Sequence, residues 1–299
     1  MRIFLTGATG FIGSALVPEL LQAGHEVIGM TRSDDGAKAL VAAGAEVHRG
    51  TLEDTESLRR GAATADAVIH VAFDHDFSRF AENCEKDKRA IAALGSVLKG
   101  SDRPLLITSG TGMGSRDDGM PASEDVFNLA HPNPRIASEL AGNALLDEGV
   151  NVSVVRLPQV HNPYRQGLIS PLIQVSREKG VCAYVGDGQN RWAAGHLSDV
   201  VRLYRLAIEK GEAGARYHAV GEEGVSARDI VASVARGLKL PVVSIPREEA
   251  QAHFGWMAMF VTIDMPASSA LTQARLGWRP EGPTLISDLD QARYLEVPA

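Results

Sequence analysis

Three glycines near the start of the chain, Gly7, Gly10 and Gly13, are spaced G-x-x-G-x-x-G within Thr6-Gly7-Ala8-Thr9-Gly10-Phe11-Ile12-Gly13. A strand-like apolar run precedes them and a helix-forming segment follows. That setting suits a bound diphosphate. The first glycine permits a tight turn, the second lets backbone approach the phosphates, and the third lets the helix pack close to the sheet. The helix N-terminus then presents unpaired N–H groups and a positive partial charge. Thr9, Phe11 and Ile12 complete the turn and border the same space.

Other groups able to do chemistry collect where strands should end. Ser109 and Thr111 flank Gly110 at the end of a fifth strand-like run, and either hydroxyl suits a substrate oxygen. Arg135 opens a later helical segment, with Glu139 four residues on, a spacing that lets two side chains touch on one helix face. An arginine stays charged at any ordinary pH, so Arg135 is no general acid or base, but it can polarise a carbonyl or bind a carboxylate. As an exposed ion pair, Arg135 and Glu139 would contribute only about a few tenths of a kcal/mol. His161 follows a sixth strand, and an imidazole needs only a small shift to exchange protons near neutral pH. His131, Asp74, His75 and Tyr164 stand at the same end of the expected sheet and share that candidacy. Each of these also has an ordinary structural role open to it. Cys84 and Cys182 lie too far apart to form a metal-type or redox spacing, so no metal site is expected and a reducing cytoplasm is the default compartment.

The elements that must position these groups are legible as a repeating pattern. Strand-like runs at 2–6, 26–30, 46–48, 67–71, 104–108 and 152–156 alternate with helical segments such as 13–23 and 87–99. Such alternation predicts right-handed βαβ units and a parallel sheet. Beyond about residue 157, prolines and glycines break the chain into shorter pieces, with strand-like runs at 181–185 and 216–220 around a helical segment at 197–210. The expected architecture is α/β: a Rossmann-type doubly wound parallel sheet with a smaller C-terminal substrate lobe. The dinucleotide domain is placed at 1–163, with 190–221 returning to it, and the lobe at 164–189 and 222–299. At 299 residues, 44% hydrophobic and 22% charged, the chain is rich enough in apolar residues for a large core. A net charge of −7 argues against a broad nucleic-acid or anionic-membrane surface, and no apolar run approaches the ~18 residues of a membrane helix.

In this order of motifs the sequence resembles the short-chain dehydrogenase/reductase superfamily, in its extended branch of NAD-dependent epimerases, dehydratases and related reductases. The resemblance implies a nicotinamide cofactor and assigns further residues to it. Thr31 stands where NAD-binding members carry an acid that binds the adenosine ribose, and Arg32 and Ser33 follow. A guanidinium with a neighbouring hydroxyl suits a 2′-phosphate, so NADP(H) is favoured over NAD(H). Leu52 matches the apolar residue against adenine, while Thr51 replaces the acid beside it. Ala72 and Phe73 match the strand end under the nicotinamide ribose. Pro158, Gln159 and Val160, within a run similar to R-P-x-x-V-[YH]-G-P, match the backbone near the nicotinamide amide.

One departure stands out. Asn133-Pro134-Arg135-Ile136-Ala137-Ser138-Glu139 resembles the family's Pro-Tyr-x-x-Ser-Lys, with Arg135 in place of the catalytic tyrosine and Glu139 in place of the lysine. No tyrosine elsewhere in the chain has a lysine four residues later. The chain is therefore identified as an atypical member lacking the Tyr-x-x-x-Lys pair. The expected function is NADP(H)-dependent reduction of a small carbonyl, enone or imine with a non-standard proton donor. The alternatives are a non-catalytic NADP(H)-binding redox sensor or scaffold, and an epimerase or dehydratase that recycles its cofactor internally. The expected partner is a small-molecule substrate, with no nucleic acid or membrane, and a homodimer is the assembly the family implies.

Overall fold

The computed structural model describes residues 1–116 and 118–296. Seven strands form one parallel sheet: β1 (Arg2–Thr6), β2 (Glu26–Thr31), β3 (Glu46–Arg49), β4 (Ala67–His70), β5 (Leu105–Gly110), β6 (Val152–Leu157) and, from much later in the chain, β10 (Arg216–His218). Their order across the sheet is β10-β6-β5-β4-β1-β2-β3, so the chain runs outward in both directions from the β1–β4 boundary. Ligands bind at the carboxyl ends of strands beside such a reversal in α/β sheets.

Alternation along each strand feeds two cores. Ile3 and Leu5 point to one face, where α1 (Gly13–Gln22) and α7 (Leu197–Lys210) cover the sheet. Phe4, Val68 and Ile107 point to the other, covered by α3 (Thr55–Ala63), α4 (Phe80–Ser96) and α5 (Ile136–Asp147). α2 (Asp34–Ala42) packs along β2 and β3. α4 begins seven residues ahead of the expected helix. Phe80, Ala81 and Asn83 extend it, which puts Asp87 in the helix interior, where it faces the sheet and is buried.

The C-terminal lobe has its own core. β7 (Gln159–His161), β9 (Arg191–His196) and β11 (Glu222–Ser226) make a three-stranded sheet, and β8 (Cys182–Val185) pairs with β12 (Val242–Ile245). α6 (Ile169–Lys179), α8 (Ala227–Leu238) and the short α9 (Ala250–Phe254), α10 (Ala258–Val261) and α12 (Leu285–Asp290) belong to this lobe, while α11 (Ala270–Leu276) packs back on β10 and α7 of the main sheet. Within 190–221, β10 lies at the edge of the main sheet and α7 packs on its face, whereas β9 belongs to the lobe's sheet. No helix of the described residues is long and apolar enough to cross a membrane.

Candidate active site

The glycine turn leaves no room for side chains. Gly7 sits at φ +69°, and a Cβ on it would come within 2.7 Å of the Ala72 amide nitrogen. A Cβ on Gly13 would lie 2.0 Å from the Gly7 carbonyl oxygen. The turn is closed by the Gly10 amide donating to the Gly7 carbonyl at 2.9 Å. α1 then starts after Ile12, a residue whose side chain cannot cap it. The Ser14 and Ala15 amides already donate to the Gly10 and Ile12 carbonyls, which among the described residues leaves the Phe11, Ile12 and Gly13 amides for an anion. Thr9 and Gly10 are exposed and Phe11 and Ile12 half-buried at this mouth. The cradle fits a diphosphate on its own geometry.

At the end of β2, Thr31 is buried and Arg32 exposed. Ser33 caps α2, its Oγ accepting the Gly36 amide at 3.0 Å. A Cβ on Gly36 would fall 2.2 Å from the Thr31 hydroxyl and 3.1 Å from the Thr9 methyl, so Thr9, Thr31 and Ser33 surround one small depression. The neighbouring acids are engaged elsewhere: Asp34 pairs with Arg49, and Asp35 with Lys38 at 3.4 Å. Among the described residues Arg32 has no ion pair or hydrogen bond. Leu52 is half-buried beside this region. Lys86 then ties Glu53 (2.8 Å) to Asp74 (2.6 Å), linking the loops after β3 and β4.

Arg135 lies beyond, at the carboxyl ends of β4 and β5. Its Nη1 donates to Asp87 at 2.6 Å and to the Ser138 hydroxyl, and its Nη2 donates to the Thr108 carbonyl at 2.9 Å. The guanidinium also covers the Phe73 ring, 4.1 Å from its centroid. Asp87 in turn accepts from Ser138 at 2.6 Å and meets His70 Nε2 at 3.0 Å, while His70 Nδ1 meets the Thr6 hydroxyl at 2.7 Å. A buried chain of polar groups thus runs from the glycine turn to Arg135. Burial alone would raise the Asp87 carboxyl, but Arg135, with help from His70 and Ser138, holds it well below the usual carboxylate range. His70 is therefore a fully buried link in this chain, in keeping with a packed strand histidine.

The expected contact between Arg135 and Glu139 is not made. Glu139 faces away, into a buried cluster where Arg156 grips it with two bonds of 2.7 and 2.8 Å and Arg216 adds a third at 2.9 Å. Helix spacing brings the two residues to neighbouring surface, but each finds a buried partner of opposite charge from another element. Burial raises the Glu139 carboxyl and the two guanidiniums overcome it, so its pKa lies below the ordinary value. His218 completes this cluster. Its Nδ1 donates to the Ser268 carbonyl at 2.8 Å and Arg156 donates to its Nε2 at 3.3 Å. Burial and the adjacent guanidinium push its pKa down to about 3. Glu139 thus stands at the lysine position of the motif but ties α5 to β6 and β10.

The remaining predicted residues divide. Ser109 is buried at the end of β5, and its Oγ has no partner among the described residues. Thr111 opens the next turn and is also nearly buried. Ala72 and Phe73 lie half-buried between the glycine turn and Arg135. Gln159 and Val160 are strand residues of β7, with the half-buried Pro158 just before them. Gln159 accepts the Leu168 amide at 2.9 Å.

His161 departs from its expected place beside the nicotinamide. Its side chain has no exposed surface, and Nδ1 meets Asp288 at 2.7 Å inside the C-terminal lobe. β7 turns away from the main sheet to pair with β9, and that carries the imidazole into the lobe's core. It is not available as a proton donor to a substrate. Of the other candidates, half-buried His131 accepts the Asn133 amide at 3.1 Å, with burial and Arg156 lowering its pKa. Asp74 is held by Lys86, and Tyr164 lies under Arg293. Asp87, the partner that fixes Arg135, was invisible from sequence. It sits in the charged run Glu85-Lys86-Asp87-Lys88-Arg89, which has the look of a solvated helix face.

Comparisons with known proteins agree with this geometry. The model of the NAD dependent epimerase/dehydratase family matches residues 3–220. Uncharacterized protein C2A9.02 of Schizosaccharomyces pombe is 46% identical over 295 residues, spanning 98% of this chain and 100% of that one. The 4-hydroxy-2-methyl-3-oxo-4-farnesyl-3,4-dihydroquinoline-1-oxide ketoreductase of Stigmatella aurantiaca is 26% identical over 291 residues, spanning 89% of this chain and 84% of that one. In fold, the chain resembles DesIV, a dTDP-glucose 4,6-dehydratase of Streptomyces venezuelae solved with NAD and TYD bound. The TM-score is 0.79 at 21% identity, over 99% of this chain and 97% of that one. With its cradle, its sheet order and a family match over most of its length, the chain belongs to the NAD dependent epimerase/dehydratase family, the extended branch of the short-chain dehydrogenase/reductases.

Proposed function

We propose that the protein is an NADP(H)-dependent oxidoreductase that reduces a small carbonyl, with Arg135 as the electrophilic group in place of a tyrosine. The glycine turn and the α1 N-terminus would hold the diphosphate, Arg32 with Ser33 and Thr31 a 2′-phosphate, and Ala72 and Phe73 the nicotinamide side. Bound there, the cofactor would supply or accept a hydride. The observation that carries the reading is Arg135 itself: a guanidinium anchored at the carboxyl ends of β4 and β5 on its Nη side, with no acceptor for Nε–H among the described residues.

From that position Arg135 donates to a substrate oxygen and stabilises negative charge as it builds there, the task of a preorganised oxyanion donor. It does not release its proton, because a guanidinium stays protonated at working pH. The oxygen takes its proton from water, with the Thr111 hydroxyl, in the turn that follows β5, as a side-chain route. A ketoreductase among the relatives supports the carbonyl chemistry. The absence of an acid at Thr31 and the unpaired Arg32 support NADP(H).

Cofactor titration of the wild type and Arg32→Ala tests the cofactor half of the reading. Losing a charge-assisted contact to phosphate costs about 1.5–3 kcal/mol, so NADPH should weaken roughly ten- to a hundredfold while NADH barely changes. Equal losses for the two cofactors would remove Arg32 from the 2′-phosphate. For the chemical half, Arg135→Met should lose turnover while it still binds NADPH, and unchanged turnover would return Arg135 to a purely structural role.

A further inference from the structure

Arg135 is the inner end of a strip of aromatic rings that crosses from the sheet to the C-terminal lobe. Phe73, under the guanidinium, meets Phe80 edge-on at 6.2 Å between centroids. Phe80 meets Phe77 at 5.5 Å, and Phe77 stacks face to face on Trp256 at 4.5 Å with the planes 4° apart. Phe260 closes the outer end, 6.1 Å from Trp256. In a chain only 5% aromatic, four of the eight phenylalanines and one of the three tryptophans gather here. Trp192 and Trp278 are buried, whereas Trp256 is 38% exposed.

Among the described residues the cations bordering the strip are already matched, while the Asp76 side chain beside Phe77 accepts only from Ser78 and has no cation partner. Asp87 neutralises Arg135, Lys86 holds Asp74, and Arg79 holds Glu82. A phosphate or carboxylate laid along the strip would lose its water and gain no unpaired cation. An aryl ring would gain stacked or edge-on contacts beyond its buried area.

Resting on the carbonyl-reductase reading, we propose that the substrate is an uncharged aryl ketone or aldehyde: its carbonyl meets Arg135, and its ring lies along Phe73, Phe77 and Trp256. Phe77 and Trp256 come from different lobes and stack directly on each other, so both lobes set the specificity through one continuous aromatic surface. The strip selects against nucleotide-linked sugars, which bring charge where this chain offers rings.

The test is equilibrium binding to the full-length protein saturated with NADP⁺, followed by tryptophan emission and by dialysis. The probes are acetophenone, cyclohexyl methyl ketone and 4-carboxyacetophenone. Acetophenone should bind about three- to tenfold more tightly than the cyclohexyl ketone, the range that aromatic contacts supply. The carboxylated probe should bind most weakly. Acetophenone should also change the emission of Trp256. Trp256→Phe should abolish that change and keep the affinity, while Trp256→Ala should weaken acetophenone by about three- to tenfold and leave the cyclohexyl ketone within about twofold. No acetophenone binding, equal affinity for the three probes, tightest binding of the carboxylate, or binding insensitive to Trp256→Ala would each overturn the proposal. Neither readout needs turnover. Aryl binding without NADPH consumption would refute the reductase reading alone, and NADPH consumption with alkyl ketones indifferent to Trp256 would refute the strip alone.

Discussion

Asp87→Asn probes the device that holds Arg135. The carboxylate is 1% exposed and accepts from Arg135, Ser138 and His70, while the Arg135 side chain is 13% exposed. Asparagine keeps the shape but removes the charge, and its amide N–H₂ confronts donors. Removing one partner of a buried ion pair costs about 3–5 kcal/mol, mostly the cost of leaving the other charge unmatched. Arg135 keeps the Thr108 carbonyl and the Phe73 ring, so the loss should fall at the lower end, about 3 kcal/mol. Arg135→Met alone strands the carboxylate and should cost a similar amount.

The informative variant is the double one. Once both charges are gone, neither penalty applies, so the double variant should be no worse than either single one, with a coupling of about 3 kcal/mol or more. Urea unfolding at neutral pH, read from midpoints with the slope checked for constancy, measures each corner of the cycle. Additivity within about 0.5 kcal/mol would refute the claim that Asp87 and Arg135 act as a unit. Acid gives an independent check. The folded pKa of Asp87 lies below the ordinary carboxylate value of 3.8. Its contribution is therefore present above the unfolded pKa and is lost as pH falls through the folded one. The gap between wild type and Asp87→Asn should persist near neutrality and narrow below about pH 4.

Other perturbations follow from the same geometry. Glu139→Gln should cost about 3–5 kcal/mol of stability, because Arg156 and Arg216 lose a shared counter-charge. NADPH affinity should stay within about threefold, and a larger loss would put Glu139 back beside the cofactor. For His218 the folded pKa is about 3 against the ordinary imidazole value of 6.5. The unfolded chain takes up the proton first on acidification, so this group removes about 2 kcal/mol of stability between about pH 7 and pH 5. His218→Gln should reduce that slope, and an unchanged slope would contradict the burial assignment. Gly13→Ala places a methyl against the Gly7 carbonyl and should cost about 1–3 kcal/mol in stability and weaken both NADPH and NADH, as calorimetry and cofactor titration would show.

Legibility in the sequence followed the range of the interactions. β1, the glycine turn and α1 are read from adjacent residues, because strand alternation, the Gly7 turn and the Gly13 approach are local requirements. The six early strand-like runs all appear in the main sheet within a residue or two; the central ones are continuous apolar runs, while β3 is a polar edge strand. The partners of Arg135 and Glu139 were hidden because they are not local. Asp87 lies 48 residues before Arg135, and Arg216 lies 77 beyond Glu139. Spacing of four on a helix establishes proximity but not preference, and a buried counter-charge outcompetes an exposed one. His161 was misplaced for a related reason. β7 is only three residues long, too short to show a period, and its pairing with β9 diverts it from the main sheet. The aromatic strip likewise joins segments some 180 residues apart, Phe77 and Trp256, with no pattern linking them.

The most direct test of the account is NADPH consumption by the purified protein against a panel of ketones and aldehydes, run beside NADPH and NADH titrations of the same preparation. The account predicts tighter binding of NADPH than of NADH, consumption with uncharged aryl carbonyls, and loss of that consumption in Arg135→Met with NADPH binding retained. Tight NADPH binding with no consumption across the panel would contradict it, and would favour a chain that binds the dinucleotide without turning it over.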